Sequence, residues 1–85
     1  MSSLTEPFTP REMEAARHLL FYYGHAGGYE PGNFTTQFIR TLEAADSINK
    51  ARLLFALPEF QRPVAVCETQ GVAKLAELIT NNDTN

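Results

Sequence analysis

Several features from which protein function is usually recognised are scarce in this chain. Its 85 residues contain one cysteine, Cys67, and no tryptophan. A lone cysteine excludes an internal disulfide, and a small chain without disulfides is typical of a reducing compartment. No run approaches the roughly 18 apolar residues of a membrane span, and the first residues lack the basic and apolar segments of a secretory signal. We therefore expect a cytoplasmic protein with no membrane partner.

Basic charge is also sparse. Seven lysines and arginines stand against ten aspartates and glutamates, which gives a formal net charge of −3. Domains that bind nucleic acids usually concentrate basic residues on one face or along one helix. Here the basic residues are spread from Arg11 to Lys74 without forming a stripe. The sequence therefore does not favour a nucleic acid as the partner.

Metal ligands and catalytic patterns are scarce too. The soft ligands are His18, His25 and Cys67, and the step from His18 to His25 matches no compact zinc spacing. An acid-base pair can be imagined between His25 and Tyr29 or Glu30, yet no nucleophile motif, paired carboxylates or phosphate-binding loop accompanies it. We predict no catalytic residue, no metal and no cofactor.

Hydrophobic residues make up 44% of the chain, and they recur mostly at helical spacing. No segment shows the alternation typical of a strand. We predict an all-α fold, a single small domain of four or five short helices with orthogonal or bundle-like packing. The predicted domain covers residues 9–80, after an N-terminal arm at residues 1–8 and before a disordered tail at residues 81–85.

The first helix has a strong start signal. Thr9 can cap it, Pro10 suits the first helical position, and Glu12 can reach back to the Thr9 amide. The apolar spacing predicts that this helix covers residues 10–23 and that Gly24 ends it.

The next two helices follow with almost no linker between them. Helix two is predicted at residues 33–45 with Asn33 as its cap, and Asp46 is expected to cap helix three at residues 47–56. Helix three leads into Leu53–Leu57, a stretch that is apolar all round. We expect this stretch to be buried on several sides, in the core or against another subunit, and to form the centre of the fold.

Two prolines shape the remainder of the chain. Pro58 can restart a helix at a tolerated first position. Pro63 removes a backbone donor and clashes with the carbonyl four residues back, so we expect a kink there or a short turn before a second helical piece. Val72, Leu75 and Ile79 then mark a last amphipathic helix.

A glycine-rich loop at residues 24–34 separates the first two helices and holds four of the five glycines. Glycine permits positive φ and close approach to other backbone, which favours a shaped surface loop, with simple chain reversal as the plainer interpretation. Tyrosine is enriched at interaction hot spots, and we expect Tyr23 in the core but Tyr22 and Tyr29 at the surface. The predicted interaction surface comprises Tyr22, His25, Gly27, Gly28, Tyr29 and Glu30.

The same loop carries a resemblance to known proteins. Residues 24–36, followed by Ala45-Asp46 and Leu57-Pro58-Glu59, resemble a family of small proteins encoded by actinobacteriophages and some actinobacterial hosts. The similarity covers about half of the chain; Asn33 stands where the family has serine, and Leu57 where it has phenylalanine. The resemblance implies a phage protein that acts in host cytoplasm, and it implies no activity.

Three functional classes fit these observations. We predict the first, a protein–protein interaction module without catalytic activity that binds a host or phage protein, as a monomer or a homodimer. The second is a helix-turn-helix regulator, because helices two and three meet at a tight corner and carry Arg40, Lys50 and Arg52; the net negative charge argues against it. The third is a small-ligand binder that uses the His25 loop, ranked last because one short domain has little room for a pocket.

Overall fold

The computed structural model describes residues 6–83, which form five α-helices joined by turns and one longer loop. Its helices are α1 (Pro10–Tyr22), α2 (Asn33–Ala44), α3 (Ser47–Ala56), α4 (Gln61–Gln70) and α5 (Val72–Asp83), with a 3-10 turn at Pro58–Phe60 before α4. Within the described residues there is no strand. The predicted all-α fold of four or five short helices is confirmed.

The start of α1 is the predicted capping box. The Thr9 hydroxyl oxygen accepts from the Glu12 amide at 3.2 Å, and the Thr9 amide donates to Glu12 Oε1 at 2.9 Å. Pro10 occupies the first helical position, where its missing amide costs nothing. The helix ends at Tyr22, one residue before the predicted end, and Gly24 follows with a φ of +72°.

The caps of α2 and α3 were predicted with unequal success. Asp46 caps α3 as expected, because its carboxylate accepts from the Asn49 amide at 2.8 Å. Asn33 was wrongly predicted as a cap: it is the first residue of α2, and Gly32 is the N-cap without any side-chain hydrogen bond. The helix also ends at Ala44, because Ala45 already has extended backbone.

Pro63 lies in the first turn of α4, where the amides have no intrahelical acceptor, and its ring is buried. Of the two expected outcomes the short turn is therefore correct, and the turn is Pro58–Phe60. Gly71, with a φ of +95°, then separates α4 from α5. The last helix continues to Asp83, three residues past the predicted limit of the domain. The rest of the predicted tail and residues 1–5 of the predicted arm lie outside the described residues.

The centre of the fold lies where α1, α4 and α5 meet. Ala16 and Leu20 of α1, Val66 of α4 and Leu75 of α5 are essentially inaccessible to solvent. The predicted centre, Leu53–Leu57, is wrong: α3 contributes no fully buried residue. Its leucines pack only partly against the core from outside.

Arg62 of α4 fastens the chain before α1 to the rest of the domain. Its guanidinium donates to both carboxylate oxygens of Glu12, at 2.9 and 2.7 Å. It also donates to the backbone carbonyls of Glu6 and Pro7, at 3.1 and 2.9 Å, and lies 5.2 Å from the ring centre of Phe8, which is buried. The end of the predicted arm is therefore part of the packed domain.

This arrangement predicts a specific dependence of stability on pH. The hydrogen bond from Arg62 is the main cause that lowers the pKa of Glu12 below its ordinary value of 4.5. A lowered pKa in the folded state stabilises the protein fully above the ordinary pKa, and the effect is lost as pH falls through the lowered value. Glu12→Gln should therefore reduce the free energy of unfolding by about 2 kcal/mol at neutral pH, measured by urea denaturation.

The difference between wild type and Glu12→Gln should shrink as the pH falls through the lowered pKa of Glu12, because the wild-type carboxyl then becomes protonated too. Glu77→Gln is the matched control, because Glu77 pairs with Lys74 on an exposed surface of α5 and such pairs contribute little. A difference for Glu12→Gln that stayed constant from neutral to acid pH would show that the Arg62 ion pair does not stabilise the fold.

Candidate functional site

The glycine-rich loop folds back along α1 and is bonded to it. The Tyr29 amide donates to the Arg17 carbonyl at 3.1 Å, and the Arg17 guanidinium donates to the Gly27 carbonyl at 2.9 Å. Nδ1 of His18 lies 3.0 Å from the Tyr29 carbonyl, a hydrogen bond when that nitrogen carries the proton. Consecutive residues of α1 thus hold both sides of the loop, which gives it one defined shape.

Gly28 is the position of closest approach between the loop and α1. A Cβ atom at this position would lie 2.2 Å from the backbone nitrogen of Phe21 and 2.9 Å from the carbonyl oxygen of Arg17. These are backbone atoms of a helix, which cannot move aside as a flexible side chain can. Gly28 is therefore required for contact, whereas Gly27, with a φ of +90°, is required for the turn itself.

Tyr29 presents its ring at the surface of this loop. Tyr29 is 55% exposed, and the Arg17 guanidinium lies 4.6 Å from the centre of its ring. Stacking of a guanidinium on an aromatic face is favourable even at exposed sites. This contact favours one orientation of the exposed aromatic side chain, which lowers the entropy cost of binding through it.

The two neighbouring tyrosines have the opposite placement from the one predicted. Tyr22 is half-buried, and its hydroxyl donates a hydrogen bond to Glu43 Oε1 of α2 at 3.0 Å. Tyr23 was expected in the core, yet 44% of it is exposed and its ring meets the Tyr22 ring edge to face at 5.3 Å. Tyr23 keeps the helical register of α1, because its amide donates to the Leu19 carbonyl at 3.0 Å, but it is the last residue in that register before Gly24 and lies at the end of the buried face.

The remaining predicted loop residues do not form a catalytic arrangement. His25 is half-buried with Nδ1 3.1 Å from the Ala26 carbonyl, while Gly27 and Glu30 are exposed. Within the described residues, no hydrogen bond or ion pair joins His25 to Tyr29 or Glu30. The imagined acid-base pair is thus not assembled in this structure.

Residues 6–83 also contain no group of three or more histidine, cysteine or carboxylate side chains placed to hold one metal ion. Burial, followed by the nearby Glu68 carboxylate, raises the pKa of the Cys67 thiol to about 11. The thiol therefore remains protonated at neutral pH, and a protonated thiol is a poor nucleophile and metal ligand.

Sequence reasoning missed a second surface, the outer face of α3, which we define as Ile48, Arg52 and Phe55. These residues are four and three positions apart, so they lie on one side of the helix. Ile48 is 69% exposed and Phe55 is 83% exposed. The leucines of α3 point inward instead, where they pack against the core. The spacing of these three residues indicates that they share one face of α3. Because the end of the helix is apolar on all sides, however, the sequence does not indicate which apolar residues face outward.

The same helix bears on the DNA-binding alternative. Of its two basic residues, Lys50 forms an ion pair with Glu68 of α4. The other, Arg52, lies among the outward-facing apolar side chains, and its guanidinium is 3.4 Å from the Asn49 side-chain oxygen. A helix that reads base edges needs several polar side chains, and the protein surface around it must be positively charged to bind the DNA phosphates. No feature of the described helices favours that use of α3.

Comparison with protein families, with curated proteins and with solved structures found no match for this chain. None of the helices in residues 6–83 combines the length and the apolar composition that crossing a bilayer requires.

Proposed function

We propose that this chain is a protein–protein interaction module without catalytic activity, and that the outer face of α3 is its main contact surface. The observation that carries the proposal is the exposure of Phe55, 83% on a helix that is otherwise rich in apolar residues. A single exposed apolar residue is ordinary. Phe55 and Ile48, however, lie in helical register around Arg52, and such a stripe is the usual anchor pattern of a helix that docks against another protein.

The chemistry of this face defines the partner. Two apolar anchors flank a cationic side chain, so a complementary surface offers an apolar groove with a carboxylate between its two ends. A second copy of the chain fits less well. If two α3 helices packed antiparallel with Ile48 against Phe55 of the other copy, the twofold axis would pass between Ala51 and Arg52. The two Arg52 guanidinium groups would then repel each other near the axis.

The glycine-rich loop supports the same function as a second contact surface. Its Tyr29 ring is exposed and held by Arg17, which is the kind of rigid aromatic group that interaction hot spots use. The resemblance to actinobacteriophage proteins supports a partner in the cytoplasm of an actinobacterial host. In this proposal the loop adds specificity, and α3 supplies most of the apolar contact.

The proposal predicts which exposed aromatic residue matters for binding. The partner is captured from an actinobacterial lysate, identified by mass spectrometry and purified, and its dissociation constant is measured by calorimetry. Phe55→Ala should weaken binding at least about tenfold and change the free energy of unfolding by no more than about 0.5 kcal/mol. Phe34→Ala is the matched control, because Phe34 is 70% exposed at the start of α2 and is not part of the outer face of α3.

The other outcomes are equally decisive. If Phe55→Ala binds as wild type does while Tyr29→Ala does not, the loop is the contact surface and α3 is not. If the lysate yields no protein that wild type retains and Phe55→Ala loses, the proposed face is wrong. Sedimentation that shows dimers of wild type but monomers of Phe55→Ala would assign the face to a second copy of the chain.

A further inference from the structure

A cleft with a cavity volume of about 250 Å³ opens where α1, α2, α3 and α4 approach one another. Its floor is apolar and consists of the buried side chains Leu19, Ile39, Leu42 and Val64. The volume exceeds the roughly 150 Å³ cavity that holds one benzene molecule. The cleft therefore accommodates a single six-membered ring together with a short side arm.

The rim of this cleft carries charges that are unequally compensated. Lys50 and Glu68 form an ion pair with each other. Glu43 accepts a hydrogen bond from Tyr22 at 3.0 Å, but no lysine, arginine or histidine of the described residues forms an ion pair with it. Two carboxylates and one ammonium group leave the rim with an excess negative charge directly above an apolar floor.

Tyr23 lies on the wall of the cleft, and its pKa is affected by the same Glu43 carboxylate. Burial, followed by its hydrogen bond with Glu43 and the charge of that carboxylate, raises the pKa of the Tyr23 hydroxyl far above its ordinary value. The phenol thus stays neutral and adds no charge to the cleft. The half-buried Cys67 thiol beside it is protonated as well, so the cleft is suited to reversible binding rather than to covalent chemistry.

We propose that this cleft binds a small organic cation, one ring with an ammonium group on a short arm. The ring lies on the apolar floor formed by α1, α2 and α4, and the ammonium group pairs with Glu43. A neutral analogue retains only the apolar contact. A carboxylate analogue meets Glu43 as a like charge, because Lys50 is already engaged by Glu68. The site is independent of the outer face of α3, since Lys50 is on the opposite side of that helix from Phe55.

The proposal is tested by NMR titration of the ¹⁵N-labelled chain with three probes of the same shape: 2-phenylethylamine, 2-phenylethanol and phenylacetate. The amine should give saturable shifts at the amides of Leu19, Leu42 and Cys67, with a dissociation constant on the order of 1 mM. The alcohol should bind at least about fivefold more weakly, and the carboxylate should give no saturable shift.

Two variants assign the charge preference to a residue. Glu43→Gln should remove the preference for amine over alcohol, while the Tyr22 hydroxyl retains an acceptor. Glu77→Gln on α5 is the matched control and should bind as wild type does, as should Phe55→Ala. The proposal is wrong if the alcohol and amine bind equally to wild type, if the shifts map outside the cleft, or if no shift saturates by about 20 mM amine.

Discussion

Leu20→Ala should lower the free energy of unfolding by about 4 kcal/mol, whereas Leu54→Ala should lower it by about 1 kcal/mol. Both changes remove the same atoms, so the difference reports the surroundings of the two side chains. Leu20 is 1% exposed in the core cluster, so its truncation leaves a cavity among packed side chains. Leu54 is half-buried on α3, and water reaches its position.

The measurement is chemical denaturation of both variants beside wild type at one pH. A domain of this size commonly has a stability of about 5 kcal/mol, so Leu20→Ala should be close to unfolding without denaturant. A loss for Leu54→Ala as large as that for Leu20→Ala would mean that α3 is buried in the protein in solution. The natural cause would then be an assembly that covers α3, and the loss would depend on protein concentration.

Local signals in the sequence placed the first three helices to within one residue at each end, but they did not give the arrangement of the helices. The Thr9 capping box and the Asp46 cap were predicted correctly because each depends on atoms within four residues of chain. The centre was predicted wrongly because apolar content was taken as burial. Leu53–Leu57 is apolar on all sides, yet the central position is set by which helices meet, and Val66 and Leu75 occupy it from distant parts of the chain.

For the candidate site, too, the sequence indicated local features but not how residues from different helices come together. Glycine content alone indicated a shaped loop before α2, and the structure adds that the shape is imposed by α1 through Arg17 and His18. Helical spacing did not indicate the exchange of Tyr22 and Tyr23, because Tyr23 keeps its register at the end of the buried face and Tyr22 is bonded to Glu43, which is distant in the sequence. The cleft beneath Glu43 was beyond sequence reasoning, since its residues come from four helices.

The role of Gly28 gives the sharpest test of the loop. Gly28→Ala should lower the free energy of unfolding by about 3 kcal/mol, because the added methyl group would lie 2.6 Å from the Phe21 Cα atom and the loop must leave α1. Gly32→Ala is the matched control: nothing lies within 4 Å of its Cβ position. As an N-cap, alanine is poorer than glycine, so this control should cost no more than about 1 kcal/mol.

Denaturation gives both free energies, and amide hydrogen exchange shows where the loss arises. In Gly28→Ala the Tyr29 amide should lose its protection, since its hydrogen bond to the Arg17 carbonyl requires the loop to touch α1. In Gly32→Ala that protection should be retained. If Gly28→Ala cost no more than Gly32→Ala, the loop would be free of α1 in solution. The Tyr29 ring would then lack a fixed orientation, and α3 alone would remain as the ordered contact surface of the proposed module.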